Sequence, residues 1–230
     1  MLLTDAVRST GAILANTAKG SRRARFTVAH ELGHFLMERH VLSNPSGFRC
    51  IADDMRETQE GRRDLRQETQ ANQFAIGLLA PGYLVNPLLS PDPDLRDAQR
   101  LSALLDISLE ACVRHLLEIR PEPLAAVWSY KGRIRYFGKS SAFPFVTCKA
   151  KLLLPQTSAA CRAVSNGTPG YTEVQATHAT AWTSQPDLDL YEQTRVSKTG
   201  HAVTLFWADT INEDDSTDDG HPELDMPKFR

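Results

Sequence analysis

The sequence predicts an α+β protein in which helices dominate the first half and strands the second. Two patterns and one boundary predict it. Between residues 26 and 119 the apolar side chains recur at helical spacing, and beyond Pro123 they fall into short runs separated by glycine-containing turns. Pro121 and Pro123 stand at the change. A chain of 230 residues can bury a sizeable core as one large domain or two small ones, and 41% hydrophobic with 23% charged residues excludes wholesale disorder. No apolar run approaches the roughly 20 residues needed to cross a bilayer.

Three segments are expected: an α-rich unit over 1–122, a β-rich unit over 123–208 and an acidic tail over 209–230. The tail holds eight acidic residues against Lys228 and Arg230, a charge of −6, which leaves +4 on the preceding 208 residues. Its composition reads as solvated and disordered. Met1–Thr10 carries Asp5 and Arg8 and lacks the apolar stretch of a secretory signal. Cys50, Cys112, Cys148 and Cys161 show no CxxC spacing. Both features fit reduced thiols in a cytoplasmic, bacterial-type protein.

Within the first unit, Gly11–Asn16 reads as a strand, followed by a basic turn with Arg22, Arg23 and Arg25. A helix is predicted over 26 to about 39. Ten of the sixteen residues in 53–68 are charged, the mark of a solvated connection. A second helix runs from about Leu65 to Leu79 and stops before Ala80-Pro81-Gly82. Two shorter helices follow over about 94–105 and 108–119. In the second unit, Leu124–Tyr130 with Arg133–Gly138, and Leu190–Val196 with His201–Ala208, read as hairpins about Lys131-Gly132 and Thr199-Gly200. Glu173–Trp182 is a further strand candidate.

His30-Glu31-Leu32-Gly33-His34 is an HExxH pattern. Four residues turn a helix by about 400°, so both imidazoles project from one face within reach of a single ion. Val28, Leu32, Phe35 and Leu36 cluster on the other side, so the apolar stripe is expected to face the core and the histidines to face away. On this motif alone, two histidines on a solvent face remain an alternative.

The second helix bears on that choice. Ala71, Phe74, Ala75, Leu78 and Leu79 form its apolar face, and Glu68 and Asn72 fall inside it, with Gln67, Gln70 and Gln73 outside its centre. An inward carboxylate is costly unless a cation or donors meet it. Catalytic zinc takes three protein ligands and leaves the fourth position to water, so Glu68 is the expected third ligand. Asn72, one turn on, is placed to hydrogen-bond a ligating imidazole. The alternative is a Glu68 stabilised in the first turn by the helix dipole. His40 has the spacing of HExxHxxGxxH, but Met37 stands where that pattern needs its glycine, and a helix continuing through Met37 would carry His40 away from the site.

Arg25-Phe-Thr-Val-Ala-His-Glu-Leu-Gly-His34, followed by Glu68-x-x-Ala-Asn-x-Phe-Ala and Leu-Leu-Ala-Pro81, resembles the ImmA/IrrE family of bacterial metallo-endopeptidases over roughly residues 11–85. The resemblance implies a zincin-like domain with one Zn2+ per chain, held by His30, His34 and Glu68, and Glu31 as the catalytic base that activates a zinc-bound water. It also implies site-specific cleavage of a protein substrate, a transcriptional repressor, in a stress response. Family members carry more chain before the histidine helix, so a shortened start or a more open cleft is expected here. The non-enzymatic alternative is a regulatory or partner-binding protein that retains the zinc.

Two further readings complete the expectation. The helix pair over 94–119 has a helix-turn-helix look, but residues 94–120 contain four Arg against five acidic residues. A groove reader needs a basic face, so no direct nucleic-acid binding is expected and the pair should pack behind the zinc site. Tyr83, His178 and His201 are candidates for an oxyanion donor, though ordinary structure accounts for each. Trp128, Tyr130, Tyr136 and Phe137 alternate as packing residues of a hairpin would.

Overall fold

The computed structural model describes residues 1–5, 7, 9–40, 47–48 and 63–209. The charged connection up to residue 62, Cys50 and the acidic tail beyond Asp209 lie outside the described residues. The chain opens with a three-stranded antiparallel sheet. Its middle strand β1 (Leu2–Thr4) pairs with β2 (Gly11–Ile13) and β3 (Gly47–Phe48). The strand expected over 11–16 is therefore shorter, and β1 arises in a stretch with no strand pattern, anchored by the buried Leu2.

Helix α1 (Ser21–Leu36) starts earlier and ends earlier than its periodicity suggests. The basic run expected as a turn is its first turn and a half. Gly20, at φ +99°, admits the chain into the helix. Met37 leaves it at φ −84°, ψ 98°, and the His40 amide donates to the Met37 carbonyl at 3.0 Å, folding the chain back.

The orientation of α1 is the main correction. Its buried set is Ala24, Ala29, His30, Glu31, Gly33 and His34, whereas Val28 and Leu36 are 42% and 55% exposed. The cause is close packing against α2 (Arg63–Leu79). A Cβ on Gly33 would come within 3.1 Å of the Phe74 side chain and 3.3 Å of the Ala71 Cα, so the helices meet where α1 has no side chain. That contact turns the histidine face inward. In α2, Ala71, Ala75 and Ile76 are buried, while Leu78, expected on the apolar face, is half exposed.

After a short α3 (Gly82–Val85), α4 (Leu95–Leu105) and α5 (Leu109–Ile119) fall where expected. Each starts at a capping side chain: Asp94 accepts from the Arg96 amide and Ser108 from the Ala111 amide. The second half forms a six-stranded sheet. Its strands are β4 (Leu124–Tyr130), β5 (Arg133–Lys139), β6 (Gly170–Tyr171), β7 (Gln175–Thr177), β8 (Leu190–Val196) and β9 (His201–Ala208). They are ordered β5-β4-β9-β8-β6, with β7 also pairing β8. Both hairpins turn where predicted, on positive φ at Lys131, Gly132 and Gly200. The strand expected over 173–182 is present only as β7. A helical turn over 179–181 replaces its end and delivers Trp182, fully buried and stacked on Phe206 at 4.7 Å. A short α6 (Ala159–Asn166), not anticipated, starts at Ser158 and stops at Gly167 in the left-handed region.

The two faces of the sheet have separate cores. Ala126, Trp128, Val203, Leu205 and Trp207 pack with α4, α5 and the end of α2, so apolar packing runs straight through the change at Pro121 and Pro123. Ala125, Val127 and Phe206 pack on the other face with Phe143, Trp182 and Ala160. Cys112, Cys148 and Cys161 are free thiols. Among the described residues, no helix is long and apolar enough to cross a membrane.

A polar clamp ties α1 to α4. Asp106, left-handed at φ 51°, pairs with Arg22 at 2.9 Å and Arg25 at 3.3 Å, and Arg25 also donates to the Leu105 carbonyl at 3.0 Å. The Arg22 guanidinium, assisted by Arg25 and opposed by slight desolvation, holds the Asp106 carboxyl below its ordinary 3.8. A carboxyl depressed by folding contributes stability above its ordinary pKa that is lost as pH falls below it. Asp106→Asn, which tolerates the left-handed backbone, should therefore flatten the loss of stability between about pH 5 and pH 3. Urea midpoints of both proteins across that range check this, and the difference should shrink at high salt.

Candidate metal centre

Helix α1 supplies His30 and His34 from successive turns, and α2 supplies Glu68 from the facing helix. Both imidazoles are completely buried. Their Nε2 atoms lie 3.1 Å apart, and Glu68 Oε2 and Oε1 lie 3.2 Å from His30 Nε2 and His34 Nε2. Burial pushes the Glu68 carboxyl up, and a proton on the His30 or His34 Nε2 facing it would pull it down.

The protons around this triangle follow from its outer partners. His30 Nδ1 is 3.0 Å from Asn72 Oδ1, an acceptor, so Nδ1 donates and Nε2 keeps its lone pair. His40 Nε2 is 3.0 Å from Gln70 Oε1 and donates to it, which leaves His40 Nδ1 as an acceptor. That atom is 2.9 Å from His34 Nδ1, which therefore donates and leaves the His34 Nε2 lone pair facing inward. Two lone pairs and a carboxylate thus converge, an arrangement that repels itself until a cation enters.

The residues fit zinc. A tetrahedral ion with bonds of about 2.0–2.1 Å holds its ligand atoms about 3.3 Å apart, close to the spacing here, and two imidazoles with one carboxylate leave a fourth position open. Among the described residues, this is the group of His, Cys, Asp and Glu whose ligand atoms come within 4.8 Å of one another.

Glu31 lies on α1 between the histidines and is 1% exposed. Its Oε1 is 2.5 Å from the backbone nitrogen of Met1, and its Oε2 is buried with no hydrogen-bond partner among the described residues. A buried carboxylate oxygen left in that state is costly and needs a functional or solvent partner.

Residues 3–117, half of the chain, match the Peptidase M78 family, described as the IrrE N-terminal-like domain. The chain belongs to this family. It is also 26% identical, over 187 residues and 80% of its length, to the radiation response metalloprotease IrrE of Deinococcus radiodurans. The chain spans about half the length of that relative, 54%. A Mycobacterium tuberculosis transcriptional regulator of known structure superposes over 88% of this chain and 69% of its own, with a TM-score of 0.48 and 15% identity.

The structure brings together His30, His34, Glu68 and Asn72 within this IrrE-like domain. Tyr83 instead stands 77% exposed on α3, and His178 and His201 are exposed in the β-rich half. Sequence reasoning missed the positions of His40 and Gln70. The expectation that the helix carries His40 away failed because α1 stops at Leu36, and the missing glycine proved unnecessary for the turn. His40 does not join the triangle but lies behind His34, 2% exposed.

The outer partners carry a prediction. His40→Ala and Asn72→Ala should each weaken zinc binding by about 10–100-fold by releasing a different imidazole. Competition against a chromophoric chelator measures the loss, and an unchanged circular dichroism spectrum shows that it is not unfolding.

Proposed function

We propose that the chain is a zinc-dependent endopeptidase that cuts a regulatory, repressor-like protein at a specific site in the cytoplasm. The observation that carries this reading is the convergence of two inward imidazole lone pairs and a carboxylate beside a buried Glu31 with an unsatisfied oxygen. A site built only to stabilise a fold is closed by four ligands and needs no base. Membership of the IrrE-like family and the metalloprotease name of the Deinococcus relative support the reaction class. The repressor-like target rests on the family resemblance.

His30, His34 and Glu68 would hold the metal. When bound, zinc supplies Lewis acidity that makes water a nucleophile near neutral pH and polarises a peptide carbonyl. The steps left to this chain concern the proton. Glu31 accepts it from the attacking water on Oε2, keeps it on a side chain that is itself buried, and returns it to the leaving amine. Asn72, and Gln70 through His40, keep the Nδ1 protons outward so that neither ligating nitrogen is blocked.

The test has two parts. Mass spectrometry of protein purified without added metal or chelator should find about one zinc per chain, and Glu68→Ala should lose most of it. Glu31→Gln should keep the metal and lower cleavage by at least about 100-fold. New protein N-termini in cells expressing the wild type but not Glu31→Gln identify the substrate. Absence of metal even after zinc is supplied ends the peptidase reading. Full biological effect of Glu31→Gln assigns the chain to the partner-binding alternative.

A further inference from the structure

A cleft of about 810 Å³ lies between the α1–α2 pair and the β-rich half. Phe26 of α1 and Asn72 of α2 form one side, α5 lies along its floor, and β5 forms the other side. Every residue from Arg135 to Lys139 lines it. Side chains of consecutive strand residues point to opposite faces, so a continuous run shows that the strand presents its edge to the cleft. β5 is the outermost strand of the six-stranded sheet. Only its start is covered: Ile134 exchanges backbone hydrogen bonds with Lys151 and Leu152, at 2.7 and 2.8 Å. From Arg135 onward no strand among the described residues pairs with its outer side.

The charge of the cleft is opposite to that of the protein. Its lining carries five cationic side chains against two carboxylates, while the whole chain has a net charge of −2. Three of the cations are engaged. Arg22 pairs with Asp106, Arg114 with Glu110, and Lys139 donates to the Phe143 carbonyl at 2.7 Å. Arg23 and Arg135 have no carboxylate partner among the described residues, and Arg135 sits 5.9 Å above the Tyr136 ring. Tyr136 is itself stacked on Trp128 at 5.0 Å, and Arg114 lies 5.4 Å from its ring on the cleft side. The Tyr136–Trp128 wall and Arg114 are thus held in place before any ligand arrives.

We propose that this cleft docks an extended, acidic segment of the protein substrate as an added strand on β5. A free strand edge supplies backbone hydrogen bonds along the five residues, about 17 Å, and Arg23 and Arg135 select acidic side chains. The inference rests on the peptidase reading for calling the partner a substrate. The cleft adjoins the metal centre without containing it. Asn72 lines it, and the same side chain accepts the His30 Nδ1 hydrogen bond. Docking there selects which protein is presented and leaves the chemistry to the three-residue triangle.

Fluorescence anisotropy on the full chain tests this with a fluorescein-labelled dodecapeptide of alternating Glu and Val. Its counterpart with Lys in place of Glu serves as comparison, and both are run with Glu31→Gln so that no cleavage intervenes. The Glu peptide should bind about tenfold tighter than the Lys peptide at low salt. Arg23→Glu combined with Arg135→Glu should abolish or reverse that preference, while Arg162→Glu on the distant α6 should leave it unchanged. N-methylation of alternate valines should weaken binding to the unaltered cleft by about tenfold, a loss that charge alone does not produce. Equal affinity for the two peptides overturns the proposal, as does indifference to the charge reversal or to N-methylation. Displacement of the probe by adenosine monophosphate at lower concentration than by unlabelled peptide overturns it too, in favour of a small anion. The N-methylated probe keeps the test decisive should the double variant fail to fold. Binding requires neither metal nor turnover, so the docking site and the peptidase reading can fail separately.

Discussion

The close approach of α1 to α2 at Gly33 is the contact on which the candidate centre depends. With no side chain at Gly33, the Ala71 backbone and the Phe74 ring come into contact with α1, and the axial rotation of α1 is set. That rotation buries His30, Glu31 and His34 and leaves Val28 and Leu36 at the surface. The exchange is unfavourable on apolar area alone. It holds because the outer ring nitrogens are satisfied, His30 by Asn72, His34 by His40 and His40 by Gln70, while the inner nitrogens and Glu68 are left facing one another for a cation to join. An outer acceptor on each imidazole limits the unmet polarity to the inward-facing atoms, where a cation would complete the network.

The rest of the first half holds that helix pair in place. Asp106 clamps the start of α1, and His115 of α5 lies 3.1 Å from the Ala80 carbonyl at the end of α2. Those anchors belong to helices that share a core with the C-terminal sheet, so the β-rich half is continuous with the support of the centre. The same arrangement leaves the edge of β5 facing α1 and α2 across the cleft. A strand edge is normally protected in a native protein, and one left open beside a reactive centre is suited to recognising a chain.

Local signals were legible where chemistry and backbone preference coincide. Pro81 as a stop and Gly132 and Gly200 as turns placed the end of α2 and the two hairpins close to where they occur, and helical spacing did the same for α4 and α5. The HExxH spacing and the inward Glu68 and Asn72 of α2 follow from the pitch of a helix and need no tertiary information. What a helical wheel cannot provide is the identity of the neighbour. Val28, Leu32, Phe35 and Leu36 look like a core stripe only if nothing prefers the opposite face, and Gly33 with Ala71 decided otherwise.

The chain by itself thus determined the mixed α+β character, the candidate ligand residues and the family resemblance, because helical periodicity and short motifs are set by neighbouring residues. Tertiary structure decided which face of α1 is buried, that α1 ends early enough for His40 to lie behind His34, and that the core runs through residues 121–123. It also decided that the β-rich half presents a strand edge to a basic cleft. Each of these depends on contacts between residues far apart in sequence, such as the 30 residues separating His40 from Gln70 and the 84 separating Arg22 from Asp106. A pattern read along the chain has no access to that separation.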